Sequence, residues 1–168
     1  TLDGEAVASL LGNAMLIRSA GKMHPVTVHY GPAKRLDDNI VECVLNALPG
    51  IIRKHSGSLL VFLPGQGEIN KVMQHLGGRR SPEESQEIDI QPLYGALPLR
   101  DQQRAIESMT ARRKVVLATD IAESSLTIEG INVVVDAGFC RVPRFDPATG
   151  MSRLQTRRIS KDSSVQRM

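Results

Sequence analysis

The chain has 168 residues, 41% of them hydrophobic, so it can bury one sizeable core, and none of its apolar runs is long enough to span a membrane. Its two cysteines and four histidines lack disulfide or metal-ligand spacing, which argues against a disulfide framework and a protein-ligated metal. Reduced thiols and the lack of a visible signal peptide predict a cytoplasmic protein. The net charge is only +3, but residues 141–168 hold seven Lys or Arg against two Asp or Glu.

The first third of the chain predicts two helices around an extended segment. Asp3 and Gly12 delimit a short helix, which we interpret as a remnant of something larger. VTVHY, at residues 26–30, lies between proline and Gly-Pro signals and predicts a strand or an extended linker. Asp37 or Asp38 then caps a helix that runs to about residue 55. Its apolar face is formed by Ile40, Val44, Leu45 and Leu48.

The middle of the chain alternates strands with helices. SLLVFLPGQGEINKVMQHLGG, residues 58–78, predicts a strand, a tight turn and a helix that ends at a glycine pair. After a charged, exposed loop at residues 79–87, IDIQPLYG and LRDQQRAIESM repeat this unit, and VVLAT and INVVVDAG are two further strands. Short, nearly continuous apolar runs are typical of buried parallel strands. The sequence therefore predicts the α/β class, with a doubly wound, mostly parallel sheet and helices on both faces.

A polar loop joins the last two of these strands, and we expect the chemistry there, because open α/β sheets bind ligands outside the carboxyl ends of their strands. The serines of the loop lack a G-x-S-x-G elbow, so capping or ligand hydrogen bonds are favoured over a nucleophilic role. Asp120 and Glu123 are either helix-start caps, the favoured interpretation, or an acid–base pair. The polar residues of the loop are Thr119, Asp120, Glu123, Ser124, Ser125, Thr127 and Glu129.

The last part of the chain is basic and changes its pattern. Residues 141–158 predict a β-hairpin around the turn Asp-Pro-Ala-Thr-Gly, and Ser160 is a candidate N-cap for a following helix. The hairpin is either a phosphate-contacting surface or an ordinary solvated ribbon. Its arginines are Arg141, Arg144, Arg153, Arg157 and Arg158.

The chain holds no complete catalytic site of a recognisable kind. A phosphate-binding ATPase needs a glycine-rich loop with Lys and Ser or Thr, whereas Gly21-Lys22 is followed by Met23. Gly65-x-Gly67 resembles the start of a dinucleotide fingerprint, but Asn70 stands at the position of the third glycine. A small α/β enzyme that acts alone is therefore disfavoured.

The motifs occur in an order that resembles the DEAH-box ATP-dependent RNA helicases. TDIAESSLTIEGINVVVDAGF is similar to their motif V, LLVFLPGQGEI to motif IV, and PLYGALPLRDQQRAI to the RNA-contact segment that follows it. SKDSSVQR resembles the approach to motif VI, and RFDPATGMSRL most resembles the bacterial HrpB-type branch. The resemblance covers nearly the whole chain. It implies the second RecA-like domain of a two-domain motor, whose first domain carries the glycine-rich phosphate loop.

This resemblance implies roles for individual residues on an RNA side and a nucleotide side. ATP would bind between the two RecA-like domains, with the Mg²⁺ ligands in the first domain, and single-stranded RNA would cross both domains through its phosphate backbone. Thr127 and Glu129 would face the ribose of ATP, whereas Gln166 and Arg167 would meet the γ-phosphate and the attacking water. The implied RNA contacts are Gly65, Gln66, Gly95, Thr119 and Asp120, with Arg141, Arg144 and Arg153 on the hairpin.

The resemblance also implies domain boundaries, and the chain departs from the family motifs at two positions. It implies that residues 1–24 are a remnant of the first domain and a linker, that residues 25–168 are the second domain, and that motif VI is cut at Met168. We therefore expect the chain alone not to hydrolyse ATP. Asp120 stands where Asn is common, and Glu129 where Asp is usual. The competing hypothesis is a nucleic-acid-binding adaptor that kept the fold without the motor.

Overall fold

The computed structural model describes residues 4–17, 25–33, 35–78, 88–107, 112–123 and 128–168, and it divides the chain into two units. The first unit, residues 1–32 with Met168, contains helix α1, Gly4–Leu10, which confirms the predicted short helix. Residues 26–30 form neither helix nor strand, so the linker alternative for VTVHY holds. Many apolar side chains of this unit are exposed, including Leu10, Met15 and Ile17.

The second unit, Ala33–Arg167, carries the sheet, and its elements alternate as predicted. The predicted loop at residues 79–87 lies outside the described residues. No helix in the described ranges is both long and apolar enough to cross a lipid bilayer. The elements are α2 Ile40–Lys54, β1 Ser58–Phe62, α3 Gln66–Gly78, β2 Ile88–Leu93, α4 Leu99–Ile106, β3 Arg113–Ala118, a 3-10 turn Asp120–Ala122, β4 Ile131–Asp136, β5 Phe139–Asp146, β6 Met151–Arg158 and α5 Lys161–Gln166.

Strands β1 to β4 form a parallel sheet in the order β2-β3-β1-β4, with a core on each face. Because side chains alternate along a strand, Leu59 and Val61 pack with α2 and α3, whereas Leu60 and Phe62 join the cluster that includes Ala105 of α4. Each fully buried Leu or Phe contributes roughly 1.5–3 kcal/mol. The predicted doubly wound architecture is confirmed.

The N-cap of helix α2 lies one residue after Asp38 and two after Asp37, the two predicted caps. Its N-cap is Asn39, whose Oδ1 accepts a hydrogen bond from the backbone N–H of Glu42 at 3.3 Å. Asp38 is not the cap, because its Oδ2 already accepts from the backbone N–H of Arg35 at 2.8 Å in the preceding turn. The predicted apolar face is confirmed, since Val44, Leu45 and Leu48 are buried, with Ile40 packed beside them.

Two adjacent residues at the start of β3 hold helices on opposite faces of the sheet. Arg113 donates to the backbone carbonyls of Ile52 and His55, which closes the end of α2. Lys114 is buried and its Nζ donates to the carbonyls of Arg104, Ala105 and Glu107 at the end of α4. Cations satisfy the last carbonyls of a helix and oppose its negative pole. These contacts fix both helices against the sheet.

The hairpin of β5 and β6 confirms the sequence prediction and begins slightly earlier, at Phe139. Asp146 closes its turn, since its Oδ1 accepts from the backbone N–H of Ala148 at 3.0 Å. Gly150 has a φ of +66°, a left-handed conformation that favours glycine. Helix α5 follows, with Ser160 as its N-cap, as predicted.

Candidate functional site

The residues predicted to contact RNA from motif IV, the LYG segment and motif V follow three neighbouring strands at one edge of the sheet. Parallel strands place their carboxyl ends at the same edge, so Gln66 after β1, Gly95 after β2 and Thr119 after β3 lie near one another. The side-chain Nε2 of Gln66 donates to the Tyr94 hydroxyl at 3.1 Å, and the backbone N–H of Thr119 donates to the Leu93 carbonyl at 3.1 Å. The structure therefore brings these residues together, with Gln66, Gly95 and Asp120 exposed.

Gly65 differs from the others because it is buried beneath the side chain of Arg141. A Cβ built on Gly65 would lie 3.0 Å from the Cδ, Nε and Nη1 atoms of Arg141. Nη2 of Arg141 pairs with Oε1 of Glu68 on α3 at 2.9 Å, so the base of the hairpin rests on α3. At this point the half-buried Arg141 guanidinium, and not the Gly65 main chain, lies toward the surface.

The hairpin separates its arginines onto two faces. Arg144 lies opposite Arg153, and both are exposed, whereas Arg141 lies opposite Thr156 on the other face. Nη1 of Arg144 donates to Oε1 of Gln155 at 3.1 Å. Two positive charges directly opposite each other repel and destabilise the hairpin. A bound anion would relieve this repulsion. The structure does not bring the three predicted hairpin arginines onto one face.

The two described ends of the polar loop between β3 and β4 lie at opposite edges of the sheet. Thr119 and Asp120 lie at the carboxyl edge, while Glu129 precedes β4 at the amino edge, where the Gly130 carbonyl accepts from the backbone N–H of Ser58 at 3.2 Å. The length of β4, roughly 20 Å for six residues, separates Glu129 from the carboxyl edge. Ser124, Ser125 and Thr127 lie outside the described residues.

Arg167 lies at the carboxyl edge and is buried, its side chain only 2% exposed. Its Nε donates to Oε2 of Glu123 at 3.0 Å, and its Nη1 donates to Oδ1 of Asp136 at 3.0 Å. The guanidinium carbon stands 4.4 Å from the centre of the Phe62 ring. Gln166 beside it is exposed. The predicted nucleotide contacts Glu129 and Arg167 therefore lie at opposite edges of the sheet.

Glu123 has a contact that the sequence did not indicate, because its Oε2 pairs with the guanidinium of Arg167. The 3-10 turn begins at Thr119, which makes no side-chain capping bond. The same charges act on Cys140. Burial raises the pKa of the Cys140 thiol, Asp120 and Glu123 raise it further, and Arg167 opposes them.

The matching family model decides what kind of domain this is. The model of the helicase conserved C-terminal domain matches residues 40–167, which include the sheet, the hairpin and α5. The chain belongs to the helicase conserved C-terminal domain family.

Curated and solved relatives of this helicase C-terminal domain agree with that assignment. The chain is 46% identical over 171 residues to the ATP-dependent RNA helicase HrpB of Escherichia coli strain K12. The aligned region covers 99% of this chain but only 20% of that protein. The crystal structure of Escherichia coli DEAH/RHA helicase HrpB matches with a TM-score of 0.76 at 44% identity, over 99% of this chain and 21% of that one. The crystal structure of E. coli DExH-box NTPase HrpB matches with a TM-score of 0.73 at 44% identity, over 99% of this chain and 20% of that one.

These matches confirm the resemblance to DEAH-box helicases of the HrpB type and the RecA-like fold of this helicase C-terminal domain. The chain spans about a fifth of the length of the relatives it matches.

No group of three or more His, Cys, Asp or Glu residues that could hold a metal occurs in the part of the chain that the structure describes. The sequence did not indicate the ion pairs of Arg167 with Glu123 and Asp136, because these partners are 44 and 31 residues away.

Proposed function

We propose that this chain is the second motor domain of an ATP-dependent RNA helicase, contributing one wall of an ATP cleft and part of an RNA track. The observation that carries the proposal is the meeting of Gln66, Gly95 and Thr119 at one sheet edge in a member of the helicase C-terminal family. Motifs that are far apart in sequence are thereby assembled into one exposed surface. The surface is half of a functional site and needs a second domain to complete it.

The proposed domain boundary is supported by the first unit of the structure. We propose that residues 1–24 belong to a preceding RecA-like domain and linker, and that residues 25–168 form the second domain. Leu10, Met15 and Ile17 are each more than four-fifths exposed, at 86%, 89% and 86%. Large apolar side chains that are this exposed are compatible with a segment that another part of the protein covers. The two compact units divide nearby, after Pro32.

The carboxyl edge of the sheet is the proposed track for single-stranded RNA. Gln66 and Thr119 supply polar groups, and Gly95 leaves the main chain accessible to a phosphate. Asp120 is exposed beside them, so its carboxylate can turn toward solvent while its backbone stays at the track. Arg141 supplies the positive charge above Gly65. Contacts of this kind position a phosphate backbone without selecting a base sequence.

The basic hairpin is proposed to guide the RNA strand beside this track. Arg144 lines a groove together with Leu36, Val142 and Arg157. Arg153 lies opposite Arg144 on the same face of the hairpin. Replacing Arg144 and Arg153 together with Gln should weaken single-stranded RNA binding. The slope of log K against log salt should become shallower by about 1.4, because each lost phosphate contact on single strands removes about 0.7.

The control for this experiment replaces two exposed cations elsewhere. Arg53 and Lys54 end α2 at the amino edge of the sheet, so Arg53→Gln/Lys54→Gln removes the same net charge away from the track. Fluorescence anisotropy with a labelled single-stranded RNA, titrated at several salt concentrations, measures both variants. Equal losses in the two variants would contradict a guiding role for the hairpin and leave only general electrostatic attraction.

On the nucleotide side, Thr127, Glu129 and Gln166 are the proposed contacts of this domain. Their assignment rests on the motifs that they share with the family. The side chains of Glu129 and Gln166 are both exposed, so each is accessible from solvent. The Mg²⁺ ligands are proposed to lie in the first motor domain, where the metal would offset the negative charge of the ATP phosphates. A cytoplasmic location stays a prediction.

A further inference from the structure

Arg167 joins two segments that flank β1, an inner strand of the sheet. Strand β1 lies between β3 and β4, Glu123 follows β3, and Asp136 ends β4. The Arg167 guanidinium covers Phe62 at the end of β1 and reaches both carboxylates at 3.0 Å. We call Glu123, Asp136 and Arg167 the arginine clasp. It fastens the end of α5 to the carboxyl edge of the sheet.

The burial of the clasp is difficult to reconcile with a direct phosphate contact by Arg167. The side chains of Arg167, Glu123 and Asp136 are 2%, 14% and 23% exposed. An arginine that moved out to a nucleotide would leave two poorly solvated carboxylates without their cation, which is strongly unfavourable. The same carboxylates would then repel the negative phosphates. In the observed geometry the guanidinium faces carboxylates of its own domain.

The clasp connects the proposed RNA side with the proposed nucleotide side. Glu123 lies four residues after Thr119, in the segment that turns at the RNA track, and Gln166 immediately precedes Arg167. The backbone N–H of Glu123 donates to the Asp120 carbonyl at 3.0 Å, so the clasp is continuous with the track segment. A displacement of residues 119–123 by RNA would therefore pull directly on the end of α5.

We propose that Arg167 is a positioning residue, which transmits RNA binding at the Thr119 segment to Gln166 and does not touch the nucleotide itself. The inference rests on the proposed helicase function. Coupling between two sites needs a physical element that both sites bias, and the clasp is such an element. Its loss should uncouple ATP turnover from RNA while leaving the basal turnover less affected.

The test is a double-mutant cycle in the full-length protein with Arg167→Met, Glu123→Met and both together. Methionine keeps an apolar side chain against Phe62 and removes the charge. ATP turnover is measured with and without single-stranded RNA, and hydrogen exchange of residues 119–123 and 161–167 is followed by mass spectrometry. The exposed pair Arg35 and Asp37, 3.6 Å apart with side chains 82% and 79% exposed, supplies the control cycle Arg35→Met/Asp37→Asn.

The clasp predicts that each single variant lowers the stimulation of turnover by RNA, by about 5-fold or more for a typical coupling between sites. The double variant should lose no more than the more affected single variant, because both changes break the same contact. The amides of both segments should exchange faster in all three variants. The control cycle should leave stimulation and exchange at wild-type values.

Three results would each overturn the proposal. The first is that Arg167→Met lowers basal and RNA-stimulated turnover by the same factor while Glu123→Met changes neither, as expected of an arginine that contacts phosphate. The second is that the two losses add in the double variant. The third is that exchange in the two segments is unchanged. If the wild-type protein shows no RNA-stimulated turnover, the proposed function fails, and the exchange cycle alone decides whether Arg167 fastens α5.

Discussion

At the scale of single residues, Gly65 shows how the absence of a side chain creates room for a cation. Gly65→Ala places a methyl group 3.0 Å from three atoms of Arg141, so that arginine must shift or leave Glu68. We expect weaker RNA binding, by several-fold if one cation contact is disturbed. Gly67→Ala is the matched control, because nothing lies within 4 Å of its added Cβ and alanine favours the helix. Anisotropy titrations that show equal RNA affinity for the two variants would contradict the proposed contact between Arg141 and RNA.

Residue roles that depend on strand ends could be predicted from the sequence, whereas roles that depend on long-range pairing could not. Gln66, Gly95 and Thr119 each follow a recognisable strand, so the parallel sheet alone predicts that they meet. Arg167 was expected at the γ-phosphate because of its motif, and the structure buries it between Glu123 and Asp136. No local pattern in the sequence pairs a cation with carboxylates 31 and 44 residues away.

At the scale of elements, the start of β3 fixes two helices through consecutive side chains on opposite faces. Lys114→Met removes the donor that three carbonyls at the end of α4 share, and we expect a loss of about 1–3 kcal/mol in the free energy of unfolding, the cost of unsatisfied buried groups. Lys71→Met on the exposed side of α3 should change little. Urea unfolding of residues 1–168 measures the free energy of unfolding of both variants. Equal values for Lys114→Met and Lys71→Met would contradict the capping role of Lys114.

The protonation of Lys114 gives this prediction a pH dependence. Burial lowers the pKa of the Lys114 ammonium, although Asp89 and Glu107 raise it. The unfolded chain therefore holds this proton more tightly than the folded domain. Between the lowered pKa and the ordinary lysine value of about 10.4, the wild-type free energy of unfolding should rise with pH relative to Lys114→Met.

Most elements could be predicted because local pattern and tertiary environment agree. The apolar runs of β1 and β3 are buried on both faces, which is what continuous runs indicate. The exceptions arose where a competing local bond was decisive. Asp38 accepts a bond from the turn before α2, which leaves the cap to Asn39. The VTVHY segment has strand-forming residues but forms neither helix nor strand.

At the scale of the whole molecule, the arrangement of the described residues supports the proposed role as one half of a two-domain motor. The proposed RNA track and the arginine clasp lie at the carboxyl edge of the sheet, whereas Glu129 lies at the amino edge. A glycine-rich phosphate loop is absent from the sequence, and the relatives that the chain matches are about five times longer. A nucleotide site shared between two domains accounts for both observations.

The most direct test of this account compares steady-state ATP hydrolysis by residues 1–168 with that by the full-length protein, with and without single-stranded RNA. The account predicts turnover that RNA stimulates in the full-length protein and no turnover above background in residues 1–168, because the phosphate loop and the Mg²⁺ ligands are proposed to lie in another domain. Robust hydrolysis by residues 1–168 alone would contradict it.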